Sequence, residues 1–229
     1  MTPKEFSDGS NGYESVAGRF MSHRSQSRVG VDTVREWAKC LPRGAVILDL
    51  GCGNGRPVSQ VFFDEGFTVY GLDASASMIA AFRAQFPSAQ AECSMIEDSD
   101  FFDRTFDAVV AWGLIFLLTP EAQSLLIRKV SRVLNRGGKF LFTSPKRVCE
   151  WSDALTGRKS VSLGLEAYHR ILIAEGLTPV GERQDEGDNH YYLALKEPNR
   201  LAGRIGHPTP PDTRIGVDAC TRRQGGSTG

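Results

Sequence analysis

A doubly wound α/β fold with a mainly parallel sheet is predicted by three observations. Short apolar runs alternate with segments of helical period along most of the chain. The first run, Ala45-Val46-Ile47-Leu48-Asp49-Leu50, is apolar at nearly every position, as in a parallel strand covered on both faces. A glycine-rich turn follows it at once, Gly51-Cys52-Gly53-Asn54-Gly55.

The elements follow in order. Residues 1–12 are polar and punctuated by glycine and read as a flexible N-terminus. Tyr13, Val16, Ala17, Phe20 and Met21 then fall at helical spacing, and Val34, Trp37, Ala38 and Leu41 mark a second helix that stops at Pro42-Arg43-Gly44. After the first strand and its glycine turn, Pro57 opens a helix running to Phe63. Phe67 to Leu72 is a second strand ending at Asp73, and Ser75 caps a helix carrying Met78, Ile79 and Phe82. Gln90 to Cys93 and Phe106 to Ala111 are the third and fourth strands. Thr119-Pro120-Glu121 starts a long helix that Gly137-Gly138 ends, and Lys139 to Thr143 is the fifth strand. Pro145 to Ser160 is irregular. A helix over about Leu163 to Glu175 and strands near Thr178 to Glu182 and Tyr191 to Lys196 complete a domain spanning 13–198. Residues 199–229, with six glycines and five arginines but no aromatic residue, are expected to be a disordered tail.

Composition narrows the function. Lys+Arg and Asp+Glu both total 27 in 229 residues, a balance that argues against a protein held to nucleic acid by phosphate contacts. The five cysteines, Cys40, Cys52, Cys93, Cys149 and Cys220, are odd in number and scattered without a Cys-x-x-Cys pair, so neither a zinc site nor a redox motif is indicated. The longest apolar run, near Ala108 to Leu118, is too short to span a bilayer and is broken by Gly113. A cytoplasmic protein with reduced thiols and no membrane partner is the expectation.

The glycine turn carries the chemistry. Ligands of doubly wound sheets bind outside the carboxyl ends of the strands, where this turn lies. Asp73 stands 18 residues after Gly55, at the end of the second strand, where a carboxylate can accept hydrogen bonds from both ribose hydroxyls. A dinucleotide fold uses Gly-x-Gly-x-x-Gly to bring a helix N-terminus against pyrophosphate. Here the pattern is Gly-x-Gly-x-Gly with Arg56 next, which points to a nucleoside without pyrophosphate.

With these motifs, the Gly71-Leu72-Asp73 strand end, Phe106-Asp107-Ala108-Val109-Val110-Ala111 and the Leu134-Asn135-Arg136-Gly137-Gly138-Lys139 turn, the chain resembles the class I S-adenosylmethionine-dependent methyltransferases from about Tyr13 to Lys196. The resemblance implies a Rossmann-like seven-stranded sheet, helices on both faces, its last two strands a hairpin and its final strand antiparallel. It also implies that Gly51 and Gly53 line the methionine part of S-adenosyl-L-methionine, with Asp49 orienting the amino group. Asp73 would hold the ribose, and Ala74 and Met78 would lie against the adenine. Where relatives often place an Asp after the third strand this chain has Ser94, so Glu97, Asp98 or the backbone of Met95 and Ile96 would meet the adenine amine. Ala111 would flank the methyl donor, and Tyr13 matches an aromatic residue that covers the cofactor from an N-terminal helix.

The resemblance leaves the acceptor open. Trp112 and Phe116, just past the fourth strand, fall in the substrate-facing region and suit an apolar or flat small molecule. Trp151 could serve in a lid. His190 in Asp188-Asn189-His190-Tyr191-Tyr192 is the candidate general base, or else a hydrogen-bonded hairpin histidine; His169 is read as surface and Tyr168 as core. Two other readings share the fold: an NAD-dependent oxidoreductase, which would need a third dinucleotide glycine and a catalytic pair, and a non-catalytic S-adenosylmethionine-binding protein. The oligomeric state is not encoded in any motif.

Overall fold

The computed structural model describes residues 9–24 and 26–197. The tail expected over 199–229, with Cys220, and the first eight residues of the expected flexible N-terminus lie outside the described residues.

Seven strands form the central sheet: β1 (Val46–Leu50), β2 (Thr68–Asp73), β3 (Gln90–Cys93), β4 (Phe106–Ala111), β5 (Leu134–Thr143), β8 (Leu177–Gln184) and β9 (His190–Lys196). Their spatial order is β3-β2-β1-β4-β5-β9-β8, and β9 runs antiparallel to both of its neighbours. Two shorter strands, β6 (Cys149–Ser152) and β7 (Lys159–Ser162), form a separate antiparallel hairpin. The predicted fold class is therefore observed, down to the antiparallel last strand.

Each buried strand turns alternate residues to opposite faces. In β4, Ala108 and Val110 pack with Val34, Trp37, Val61 and Phe62 of helices α2 (Val31–Ala38) and α3 (Val58–Asp64). Val109 and Ala111 face the other way, among Leu126, Ile127 and Val130 of α5 (Pro120–Val133) and Tyr168 and Leu172 of α6 (Leu165–Ala174). Asp107 locks the middle of the sheet: its carboxylate accepts from the Val46 amide at 2.9 Å and from the Asn135 side chain at 2.8 Å.

Three expectations change. Helix α5 stops at Val133 rather than at Gly137-Gly138, because Leu134 already pairs with Phe106 in β5; Gly137, at φ +76°, lies in the irregular register that follows. The stretch expected to be irregular, Pro145–Ser160, instead holds β6 and the first half of β7. Strand β6 alternates half-buried and exposed side chains and β7 buries only the serines Ser160 and Ser162, too little apolar pattern to declare the hairpin in sequence. What holds it is distant in sequence: the Gln123 side chain, fully buried, donates to Val161 O at 2.9 Å and Leu118 O at 3.0 Å. Residues 9–12 form a turn rather than loose chain, in which Ser10 Oγ accepts from the Glu14 amide at 2.9 Å and opens α1 (Tyr13–Arg24).

Helix α1 buries only Ala17 and is fixed by polar contacts instead. Glu14 reaches the first turn of α4 (Ala76–Gln85), where its carboxylate accepts from the Ser75 hydroxyl, from Ser77 N at 3.1 Å and from Ser77 Oγ at 2.6 Å. A carboxylate at a helix N-terminus meets unpaired amides and the positive end of the dipole, so α1 is held across the carboxyl edge of the sheet. No helix among the described residues is long and apolar enough to cross a membrane.

Candidate functional site

The glycine turn is bound to the strand beside it. Gly51 N and Cys52 N both donate to Leu72 O, at 2.8 and 3.1 Å, and Gly53 N donates to Asp73 Oδ2 at 2.9 Å. The glycines do different work. Gly53 has φ +54°, and a β-carbon there would meet nothing closer than Phe20 and Met78 at 3.7 and 3.9 Å, so its backbone borders open space. Gly55 has φ +84°, and a β-carbon would run into Phe86 at 2.3 Å, so this third glycine serves core packing.

Above the turn lies a cavity of about 490 Å³, within the range of small-molecule and cofactor sites. It is walled by the carboxyl ends of four parallel strands, by the Gly9–Asn11 turn and by α1. Gly51, Gly53, Asp49, Asp73, Ala74, Met78, Met95, Ile96 and Tyr13 all line it, as do Trp112 and Phe116. Ser94 and Glu97 line it too, whereas Asp98 does not. Ala111 is the exception. The alternation of β4 turns its methyl into the α5–α6 core, and Trp112 and Gly113 form the wall there instead.

Two carboxylates stand on the strand side. Asp49 is 2% exposed and accepts from Ser59 Oγ; burial pushes its carboxyl up to about 7, with the Ser59 hydroxyl opposing and the nearby Asp73 charge adding to the rise. Asp73 accepts from Ser75 N at 2.8 Å as well as from Gly53 N, and burial raises its pKa against the pull of those two amides. It thus both ties the glycine turn to the α4 cap and borders the cavity.

The opposite wall offers donors. The Arg24 guanidinium lies over the Trp112 ring, 3.9 Å from its centroid, and burial lowers its pKa to about 10 while Tyr191, Asp185 and Tyr13 favour its charge. Its Nη2 and the Asn11 Nδ2 are buried nitrogens without a hydrogen-bond partner among the described residues, and both residues line the cavity. Such orphaned donors are costly in a folded protein and mark a place for an acceptor. Neither was named from sequence, although Arg24 continues the Tyr13–Phe20 face of α1 by one more turn. Tyr13 itself donates its hydroxyl to Asp153 Oδ2 at 3.0 Å, bridging α1 to the β6–β7 turn over the cavity mouth. Burial raises the Tyr13 pKa.

His190 and Trp151 lie elsewhere. Both border a second chamber of about 470 Å³ that meets the first along Phe116 and Asn189. The buried His190 Nε2 is 3.1 Å from Glu182 Oε2, without the alignment of a hydrogen bond, so His190 is a hairpin residue facing a carboxylate rather than a bonded one. Tyr168 is fully buried, as expected of core, and His169 is half-buried. Among the described residues no group of His, Cys, Asp or Glu could hold a metal ion.

This strand order, with a glycine-turn cavity and a carboxylate ending the second strand, defines a nucleoside-binding α/β protein. A methyltransferase-domain family model matches residues 47–138. An uncharacterized methyltransferase of Synechocystis is 32% identical over 108 residues, covering 47% of this chain and 50% of its own. A tRNA (carboxymethyluridine(34)-5-O)-methyltransferase of Xenopus tropicalis is 26% identical over 132 residues, 56% of this chain and 19% of its own. The crystal structure of a magnesium protoporphyrin IX methyltransferase from Synechocystis with bound S-adenosylmethionine superposes with a TM-score of 0.68 at 16% identity, covering 86% of this chain and all of that one. Residues 47–138 thus carry a methyltransferase domain, in a fold shared with a methyltransferase that holds S-adenosylmethionine. The match spans about half the length of the Synechocystis relative.

Proposed function

We propose that the chain transfers a methyl group from S-adenosyl-L-methionine to a small-molecule acceptor by in-line displacement. One observation carries the cofactor assignment: the cavity presents buried carboxylates on one wall and orphaned donors on the other. A zwitterionic amino acid joined to a nucleoside needs that division. Asp73 would take the ribose hydroxyls on the lone pairs its amide bonds leave open. Asp49 would face the ammonium, and Arg24 with Asn11 would take the carboxylate. Met78, Met95 and Ile96 supply apolar and backbone surface for the base.

When bound, the sulfonium supplies an already activated methyl group. The chain's part is alignment and exclusion of water, which can supply roughly 7–11 kcal/mol of the barrier. Trp112, Leu114 and Phe116 close the strand edge with apolar groups, and the Tyr13–Asp153 bridge closes the mouth. The zero net charge and this enclosed apolar wall support a small acceptor over a polynucleotide. The likeness to the tRNA methyltransferase keeps a nucleic-acid acceptor as the rival reading.

Calorimetry is the test. S-adenosylmethionine and S-adenosylhomocysteine are expected to bind with micromolar Kd, about −8 kcal/mol, with no response to NAD. Binding of NAD and of neither methionine nucleoside would overturn the proposal.

A further inference from the structure

The second chamber shares Phe116 and Asn189 with the cavity assigned above to the cofactor. Its floor is the end of β5 and the start of β9, Thr143, Ser144 and His190. One side is aromatic: Phe116 and Trp151 touch with ring centroids 5.3 Å apart at 47°, and both are half-buried. Because Phe116 also lines the first cavity, a ring lying on this corner adjoins it.

The polar lining groups can be sorted by what is left open. Thr143 Oγ1 accepts from Gly113 N, and Ser144 Oγ is engaged with Ser162 and Tyr168. Gln184 donates to Asp188, and Lys146 pairs with Glu182 at 2.9 Å. The Arg147 guanidinium carries donors and no acceptor. That leaves His190 as the neutral nitrogen base of the chamber. The groups facing it are Glu182 of β8, Lys146 of the loop after β5, His169 of α6 and the Tyr192 ring at 4.8 Å. Burial outweighs the Glu182 charge and lowers the His190 pKa, so the imidazole is uncharged near neutrality.

We infer that this chamber receives the methyl acceptor, a planar aromatic compound whose nucleophile is a hydroxyl or ring N–H, and that His190 accepts its proton. The inference rests on the methyltransferase reading above. The acceptor's lone pair forms the new bond to the methyl carbon, the carbon–sulfur electron pair stays on sulfur, and the acceptor's proton passes to His190. Glu182 acts as a positioning residue that steadies the imidazolium so formed.

The test uses protein saturated with S-adenosylhomocysteine, ¹³C-labelled at histidine and ¹⁵N-labelled at tryptophan, with 2-naphthol as probe. Saturable shifts of the Trp151 indole and His190 ring signals are expected, together with an about tenfold or greater rise in the 2-naphthol Kd for Trp151→Ala at unchanged S-adenosylhomocysteine affinity. In a turnover assay with labelled methyl donor, His190→Gln should lower the rate about 100-fold or more. It should also remove the rise in rate with pH. Bound S-adenosylhomocysteine with neither signal moved by 2-naphthol would overturn the inference and leave the methyltransferase reading standing. So would a tRNA transcript that binds where 2-naphthol does not. Failure of S-adenosylhomocysteine to bind would overturn both.

Discussion

Arg24 lies over Trp112, 3.9 Å from the ring centroid, and Trp112 is itself held by a chain of hydrogen bonds. Its indole Nε1 donates to Tyr191 Oη at 2.7 Å, and that hydroxyl donates to Asp185 Oδ2 at 2.7 Å. Asp185, 8% exposed, also accepts from Gly187 N, Asn189 N and the Asn189 side chain. The turn between β8 and β9 therefore fixes the plane on which Arg24 rests, and through it one wall of the cofactor cavity.

Replacing Arg24 by Met keeps most of the apolar stem and removes the charge. The S-adenosylhomocysteine Kd is expected to rise about 10–100-fold, as for a lost charged hydrogen bond of roughly 1.5–3 kcal/mol. Apo stability should hold or improve, because a buried nitrogen without a partner is removed. Calorimetry and thermal unfolding together check this, and a large loss of apo stability at unchanged affinity would make Arg24 structural.

Asp73→Ala should act on both quantities. Two amides, Gly53 N and Ser75 N, lose their acceptor, which costs about 1–3 kcal/mol for each buried donor left unpaired. Cofactor affinity should fall by about tenfold or more beyond that, through the loss of ribose contacts. Unchanged thermal stability would contradict the bracing role of this carboxylate.

Asp49 makes a pH prediction with a definite sign. Its folded pKa of about 7 lies above the ordinary carboxylate value, so between those two pH values the folded protein binds more protons than the unfolded one. Stability contributed by this group is accordingly present at acid pH and lost as pH rises toward 7. Cofactor binding should move the opposite way, because an ammonium favours the ionised carboxylate. In Asp49→Asn, whose amide oxygen can still accept from Ser59, both dependences should flatten. Thermal unfolding and calorimetry from pH 5.5 to 8.5 measure them.

Tyr13→Phe removes only the hydroxyl that joins α1 to Asp153. Asp153 keeps its bonds to Leu155 N and Thr156 N, so global stability should fall by no more than about 1 kcal/mol. Amide exchange across the β6–β7 hairpin should quicken, and cofactor release should be faster by several-fold. Unaltered exchange in the hairpin would show that its contacts with Gln123, Ser144 and Phe116 secure it without this bond.

Much of the site was legible because it is local. Gly51, Gly53, Asp73, Ala74 and Met78 lie within one strand–turn–helix–strand–helix stretch, where glycine placement and a terminal carboxylate declare a ligand turn without reference to the rest of the chain. The Ser75 cap, whose Oγ accepts from Met78 N, was legible for the same reason. The β6–β7 hairpin was not, since two four-residue strands have no periodicity to read and depend on Gln123 for support.

Alternating apolar strands and helices, the glycine turn and the carboxylate after β2 were enough for the sequence alone to determine a doubly wound methyltransferase-like sheet. Each is a pattern within a few consecutive residues, set by backbone geometry and burial. The tertiary structure decided which groups complete the site. It turned Ala111 into the core and placed Arg24 and Asn11 in the cavity with donors unpaired. It set His190 in a neighbouring chamber beside Glu182 and joined Tyr13 to a residue 140 positions away. These relations arise from the packing of α1 and the hairpin over the sheet edge, and contacts made across such separations leave no period or spacing in the chain.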